Sequence, residues 1–193
     1  NKTVICKGRP PVPYDVLSIN IGSTPRIGNI PGAADFAVAV KPINKFVDRW
    51  QKLLDRVIAH SGSHKVCVVG AGAAGVELLL AIQFRLQNEL AGLGRSSEQL
   101  IFHLVCKSEH IMPGFPSAVA KRFDAILDER GVQVHRGFEA SGAEDGVLTL
   151  SNGDRLVVDE TLFVTAAGAA PWLAESGLEV DQHGFVKVED TLQ

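Results

Sequence analysis

The segment Gly70-Ala71-Gly72-Ala73-Ala74-Gly75 sets three glycines at the spacing G-x-G-x-x-G, and that spacing has a chemical use. Backbone without side chains can turn tightly and admit a pyrophosphate to the N–H groups at the start of a helix, where the peptide dipoles favour negative charge. The motif works only between a strand and a helix, and both are written in its flanks. Residues 65–69 form a short β-branched run suited to a strand buried on both faces, and residues 76–90 are good helix formers. In that setting Gly70 permits the turn, Gly72 clears the path of the pyrophosphate, and Gly75 lets the helix pack close to the strand, while Ala71, Ala73 and Ala74 complete the cradle. The same letters have the apolar length of a membrane span. Their content argues against one: three glycines weaken its first half, and Glu77 would sit near the bilayer centre at a cost of about 2.5 to 3.5 kcal/mol.

Other reactive side chains give less. His60, His64 and Cys67, or His103, Cys106 and His110, lack any metal-ligand spacing and read as neutral surface histidines and strand residues, with His103 and Cys106 facing opposite ways; no metal is expected. Three cysteines, odd in number and without C-x-x-C, imply reduced thiols in a cytoplasmic protein, with neither a disulfide framework nor a redox dithiol. A net charge of −3 and the lack of a Lys/Arg stripe exclude nucleic acid as a partner. Trp50 and Trp172 read as packing residues, and the helix from Lys45, mixed in charge on its polar face, as packed on protein instead of lying on a membrane. The chain starts at Asn1 without a leader, and reads as a piece of something longer.

The elements around the glycine loop follow from pattern. Residues 1–6 and 11–13 flank a Lys7-Gly8-Arg9-Pro10 turn and predict a hairpin; residues 16–21 predict an apolar strand, with a loop from Pro25 to Pro31. Phe46, Trp50, Leu53, Leu54 and Val57 predict a helix over 45–60, ended by Ser61-Gly62-Ser63. After the glycine loop, the expected order is strand 100–105, helix 117–130 with Gly131 as its left-handed cap, strand 132–135, a hairpin over 147–158 around Asn152-Gly153, and strand 161–166. That order describes an α/β, Rossmann-like three-layer nucleotide-binding domain with a parallel sheet and an antiparallel β-meander.

Four stretches resemble one family in its order. "YDVLSINIGSTP" at 14–25, "VVGAGAAGVE" at 68–77, "LVCKSEHIMPGFP" at 104–116 and "LFVTAAGAAPWLAESGLEVDQHGFVKVEDTLQ" at 162–193 resemble the pyridine nucleotide-disulfide oxidoreductase superfamily, flavoproteins that bind both FAD and NAD(P)H. The chain is most similar to their type II NADH dehydrogenase-like branch, and "VKPINKFVDRWQKLL" at 40–54 also resembles dehydrogenase-like modules fused to selenide, water dikinase.

The resemblance implies an inserted NAD(P)H domain at 32–167 between two parts of an FAD domain, 1–31 and 168–193. It assigns Gly70 to Gly75, Cys106, Lys107 and Gly168 to NAD(P)H, Gly22 and Ser23 to a flavin-contacting turn, and Glu77 to positioning the nicotinamide; the plainer reading of Glu77 is a solvated first-turn carboxylate near the helix dipole. The parent would be an FAD-dependent NAD(P)H oxidoreductase that delivers electrons to a non-disulfide acceptor such as a quinone, in the cytoplasm or peripheral to the inner face of a membrane. The alternative is a non-catalytic dinucleotide sensor, for example in a selenium-metabolism fusion protein. Cys106 stands where NAD-binding members carry a carboxylate, which predicts NADH and NADPH affinities within about tenfold, or 1.4 kcal/mol. Because the stretch holds one G-x-G-x-x-G and only the Gly22-Ser23 and Ala167-Gly168 turns of a flavin site, it should retain FAD poorly by itself. Absorbance of the purified chain checks this: a colourless protein is expected, and stoichiometric yellow flavin would contradict it.

Overall fold

In a computed structural model that describes residues 2–25, 30–40, 43–165 and 167–192, a parallel sheet lies between helices on one face and a small antiparallel sheet on the other. The chain opens with β1 (Thr3–Val4), β2 (Val12–Pro13), β3 (Thr24–Pro25), α1 (Ala33–Phe36), β4 (Val38–Ala39) and α2 (Ile43–Ala59). Next come β5 (His64–Val69), α3 (Ala73–Gly92), β6 (Leu100–Cys106), α4 (Ser117–Glu129) and β7 (Gln133–Arg136). Then follow β8 (Ala140–Glu144), β9 (Val147–Leu150), β10 (Arg155–Val157), β11 (Glu160–Phe163), β12 (Ala167–Gly168) and α5 (Trp172–Glu175). The parallel sheet has the order β4-β11-β5-β6-β7, and β8, β9 and β10 form the meander.

The pleat divides the core. Val66, Val68, Phe102, Leu104 and Leu162 pack with the helices, whereas Cys67, Val69, Val105 and Phe163 lie with Ala143, Leu148 and Leu150 of the meander. Helix α2 forms where its apolar period demands, with Leu53 and Val57 buried, each worth about 1.5 to 3 kcal/mol. Its last carbonyls are taken by the Arg95 guanidinium, which donates to Val57, Ile58 and His60 at 3.2, 2.8 and 2.6 Å. At the opposite edge of the sheet from the glycine loop, Arg49 and Arg56 of α2 clasp the buried Glu160 carboxylate of β11 at 2.9 and 2.6 Å. These heads reach solvent, so the clasp lets a carboxylate be buried with both oxygens satisfied.

The predicted opening hairpin, α2, the strand–loop–helix around Gly70, β6, α4 and the 147–158 hairpin are all present. Gly131 is left-handed, with φ 67°. The Asn152-Gly153 hairpin uses a three-residue loop, with Gly153 at φ 89° donating to the Leu150 carbonyl at 2.9 Å. Three expectations are corrected. Residues 16–21 pair with no strand among the described residues, and Val16 is 90% exposed; an apolar run becomes a strand only where a neighbour supplies hydrogen bonds. His64 is buried instead of lying at the surface, whereas His103 is a residue of β6 as expected. Helix α3 begins three residues before Val76, which moves Glu77 out of its first turn. The expected strand end at Ala166, residues 26–29 of the expected Pro25–Pro31 loop, and Lys41 and Pro42 of the 40–54 stretch lie outside the described residues.

Between the sheet and the meander, His103 Nδ1 stands 3.1 Å from His135 Nε2, so one ring donates and the other accepts while both are neutral. Burial, reinforced by His135 and Lys65, pushes His103 down to about 4. Burial also lowers His135, against an opposing pull from Asp154. The unfolded chain protonates His103 near its ordinary 6.5 and the folded chain does not. Stability is therefore intact above that pH, and falls by up to about 1.4 kcal/mol per unit as pH drops toward 4. Thermal melts between pH 7 and 4 should show this slope in the wild type and a shallower one in His103→Phe.

Candidate functional site

Strand β5 ends at Val69, and the chain reverses at Gly70, whose φ of 116° is open to glycine and strained for other residues. The turn is anchored on both neighbours: Gly70 N–H donates to the Val105 carbonyl at 2.9 Å and Val164 N–H to the Val69 carbonyl at 2.9 Å. A Cβ on Gly70 would overlap the Val164 carbonyl, and one on Gly75 would overlap the Gly70 carbonyl. At Gly72, by contrast, nothing lies within 4 Å of a Cβ position. Two glycines are thus required by the fold, and the middle one borders open space.

Gly72 is the N-cap of α3 with extended backbone, φ −73° and ψ 179°, and its carbonyl accepts from Gly75 and Val76 at 3.1 Å each. The helix therefore starts at Ala73. With the Gly75 and Val76 amides bonded to Gly72, the amides of Ala73 and Ala74 are left without a backbone acceptor among the described residues, which is the arrangement that favours an anion at a helix start. Ala71 is buried, and its carbonyl accepts the Met112 N–H at 2.7 Å. Met112 holds a φ of 55°, an uncommon conformation for a side-chain-bearing residue, and this contact ties the loop after β6 down onto the glycine loop. Nothing in the sequence pointed to that tie except the Pro113-Gly114 turn signal beside it.

The remaining predicted residues fall in three places. Glu77, the fifth residue of α3, is exposed on its second turn. Gly168 pairs with Thr24, so β12 and β3 bring the Gly22-Ser23 turn beside Gly168, away from the glycine loop in sequence but joined to it through β11. Cys106 ends β6, next to the glycine loop, but it is buried on the helix side of the sheet and its Sγ donates to the His110 carbonyl at 3.5 Å. The exposed groups at this strand end are its neighbours. Lys107 pairs with Glu139 at 2.8 Å, and Arg136, opposite Cys106 on β7, pairs with Asp124 at 2.8 Å. Burial lifts the Cys67 thiol to about 12, leaving it inert. Among the described residues no group of three or more His, Cys, Asp or Glu side chains could hold a metal.

An open, anion-favouring loop at the carboxyl edge of a parallel sheet suits a dinucleotide. The chain belongs to the pyridine nucleotide-disulphide oxidoreductase family, whose model matches residues 1–193. It is 27% identical to NADH dehydrogenase-like protein YutJ of Bacillus subtilis over 94% of its own length and 46% of that protein's. With the type II NADH:quinone oxidoreductase of Haemophilus influenzae the identity is 26%, over 94% of this chain and 46% of that one. The chain thus spans about half the length of these relatives. The solved structure of NDH2 from Plasmodium falciparum in complex with NADH superposes with a TM-score of 0.73 at 16% identity, over 84% of this chain and 37% of that one, a likeness of fold.

Gly75→Ala should destabilise the chain by at least about 1 to 3 kcal/mol, because its Cβ has nowhere to go. Gly72→Val should melt close to the wild type yet lose dinucleotide binding. Thermal melts with calorimetric titration of NADH check both, and a Gly72→Val protein of unchanged affinity would make the loop purely structural.

Proposed function

We propose that this member of the pyridine nucleotide-disulphide oxidoreductase family is the NAD(P)H-binding part of an FAD-dependent, NADH dehydrogenase-like oxidoreductase whose electrons go to a non-disulfide acceptor such as a quinone. The observation that carries the reading is the contrast within the glycine loop: Gly70 and Gly75 are filled by the fold's own carbonyls, and Gly72 is left open. A pyrophosphate laid against Gly72 would meet the first amides of α3. When bound, FAD supplies the redox chemistry by accepting hydride from the reduced nicotinamide. The chain's own residues orient and hold: Ala71 braces the loop through Met112, and Glu77 on the exposed second turn would steer the nicotinamide end.

The same reading accounts for the ends. Residues 1–31 and 168–193 are segments of a flavin domain, with Gly22 and Ser23 beside Gly168. The exposed apolar side chains Val16, Leu17, Ile19 and Ile21 suit a strand that pairs with the rest of such a domain. A quinone acceptor is supported by the Haemophilus influenzae relative's name. No helix among the described residues is long and apolar enough to cross a membrane. The sensor reading draws nothing from the relatives named above.

The test is NADH oxidation by the full-length protein with FAD, using a soluble quinone or a dye as acceptor. Turnover that is lost in Gly72→Val is the expected result. Dinucleotide binding without any turnover, with FAD bound, would overturn the enzymatic reading.

A further inference from the structure

We infer that the ion pair between Lys107 and Glu139 selects NADH over NADPH, with Glu139 doing the work that a carboxylate at position 106 would otherwise do. This rests on the dinucleotide reading above.

Position comes first. In a fold of this kind the ribose next to the pyrophosphate lies over the end of the strand beside the glycine loop, here β6. Cys106 at that end is buried, and its thiol is engaged by the His110 carbonyl, so it cannot meet a ribose. Lys107 follows immediately and is exposed. Glu139 arrives at the same point from β7, because the Phe138 N–H donates to the Cys106 carbonyl at 3.1 Å and so brings the β7 exit across the β6 exit. The two side chains meet at 2.8 Å, both exposed.

Charge decides what this pair admits. A 2′-phosphate carries close to two negative charges and needs free cations. Lys107 and Arg136, both at this strand end, each already face a carboxylate, that of Glu139 and that of Asp124. Glu109, exposed in the same loop, adds a further negative charge. A phosphate would have to draw Lys107 away and then stand within a few ångströms of Glu139. A ribose hydroxyl is neutral and can donate to a carboxylate, so it meets no such conflict. The pair is too exposed to matter much for stability, so removing Glu139 should release Lys107 without disturbing the fold. The expectation drawn from Cys106 alone, of affinities within about tenfold, is the opposing outcome that the same Kd values decide.

The experiment measures Kd for NADH and NADPH on the full-length protein as wild type, Glu139→Gln, Lys107→Ala/Glu139→Gln, and Gly72→Val. The wild type should favour NADH by at least about tenfold; Glu139→Gln should tighten NADPH by about tenfold and weaken NADH, and the added Lys107→Ala should cancel the NADPH gain. An NADH to NADPH ratio that is the same in wild type and Glu139→Gln, or an NADPH gain that survives loss of Lys107, overturns the inference while leaving the dinucleotide site standing, provided Gly72→Val still abolishes binding. A wild type that binds neither nucleotide, or a Gly72→Val protein that binds both as well as the wild type does, overturns the dinucleotide reading and this inference with it.

Discussion

The structure turns on two points where no Cβ can stand. At Gly70 the space is held by the Val164 carbonyl leaving β11, and at Gly75 by the Gly70 carbonyl itself. These close approaches set how β5 ends, where α3 begins and how near the helix lies to the sheet. The sheet's central strands follow, since Gly70 and Val164 tie the exits of β5, β6 and β11 through the Val105 and Val69 carbonyls. Gly72 is the exception that gives the arrangement a use. It has the same residue type with no packing need for it, so the missing side chain there leaves an opening at the start of a helix.

What could be seen in the sequence was whatever is encoded over short spans. The period-3.6 apolar face of α2 and the β-branched run of β5 each carry their own signal, as does the Asn152-Gly153 turn. The glycine pattern places the start of α3 three residues late, at Val76, because Ala73-Ala74-Gly75 fits a loop as well as a helix start, and alanines there extend the helix backward at no cost. Strand β4, with two residues, and α1, with four, are too short to show a period. Strand β8, Ala-Ser-Gly-Ala-Glu, has neither β-branched residues nor a strong alternation, and exists because β9 offers it a partner.

Long-range polar contacts were invisible for a different reason. The tie of Met112 to Ala71, the Arg49 and Arg56 clasp on Glu160, and the Lys107–Glu139 pair each join residues 32 to 111 positions apart or cross separate loops, and no local pattern announces them. Residues 16–21 show the reverse, with the composition of a buried strand but no strand partner among the described residues. Composition reports what a segment could bury, and pairing decides whether it does. The candidate site divides along the same line: its glycines are local and legible, while the groups around the β6 exit became visible only once Cys106 was seen to face inward.

The central claim is that a dinucleotide lies across the carboxyl edge of the sheet, from the glycine loop to the β6 exit. Backbone amide resonances followed through a titration with NADH test it most directly. The account predicts that the amides of Gly72, Ala73, Ala74 and Lys107 shift together with one saturation curve, while those of Arg49 and Glu160 at the opposite edge stay in place. Shifts concentrated around Glu160, or a glycine loop that does not respond at saturating NADH, would contradict it.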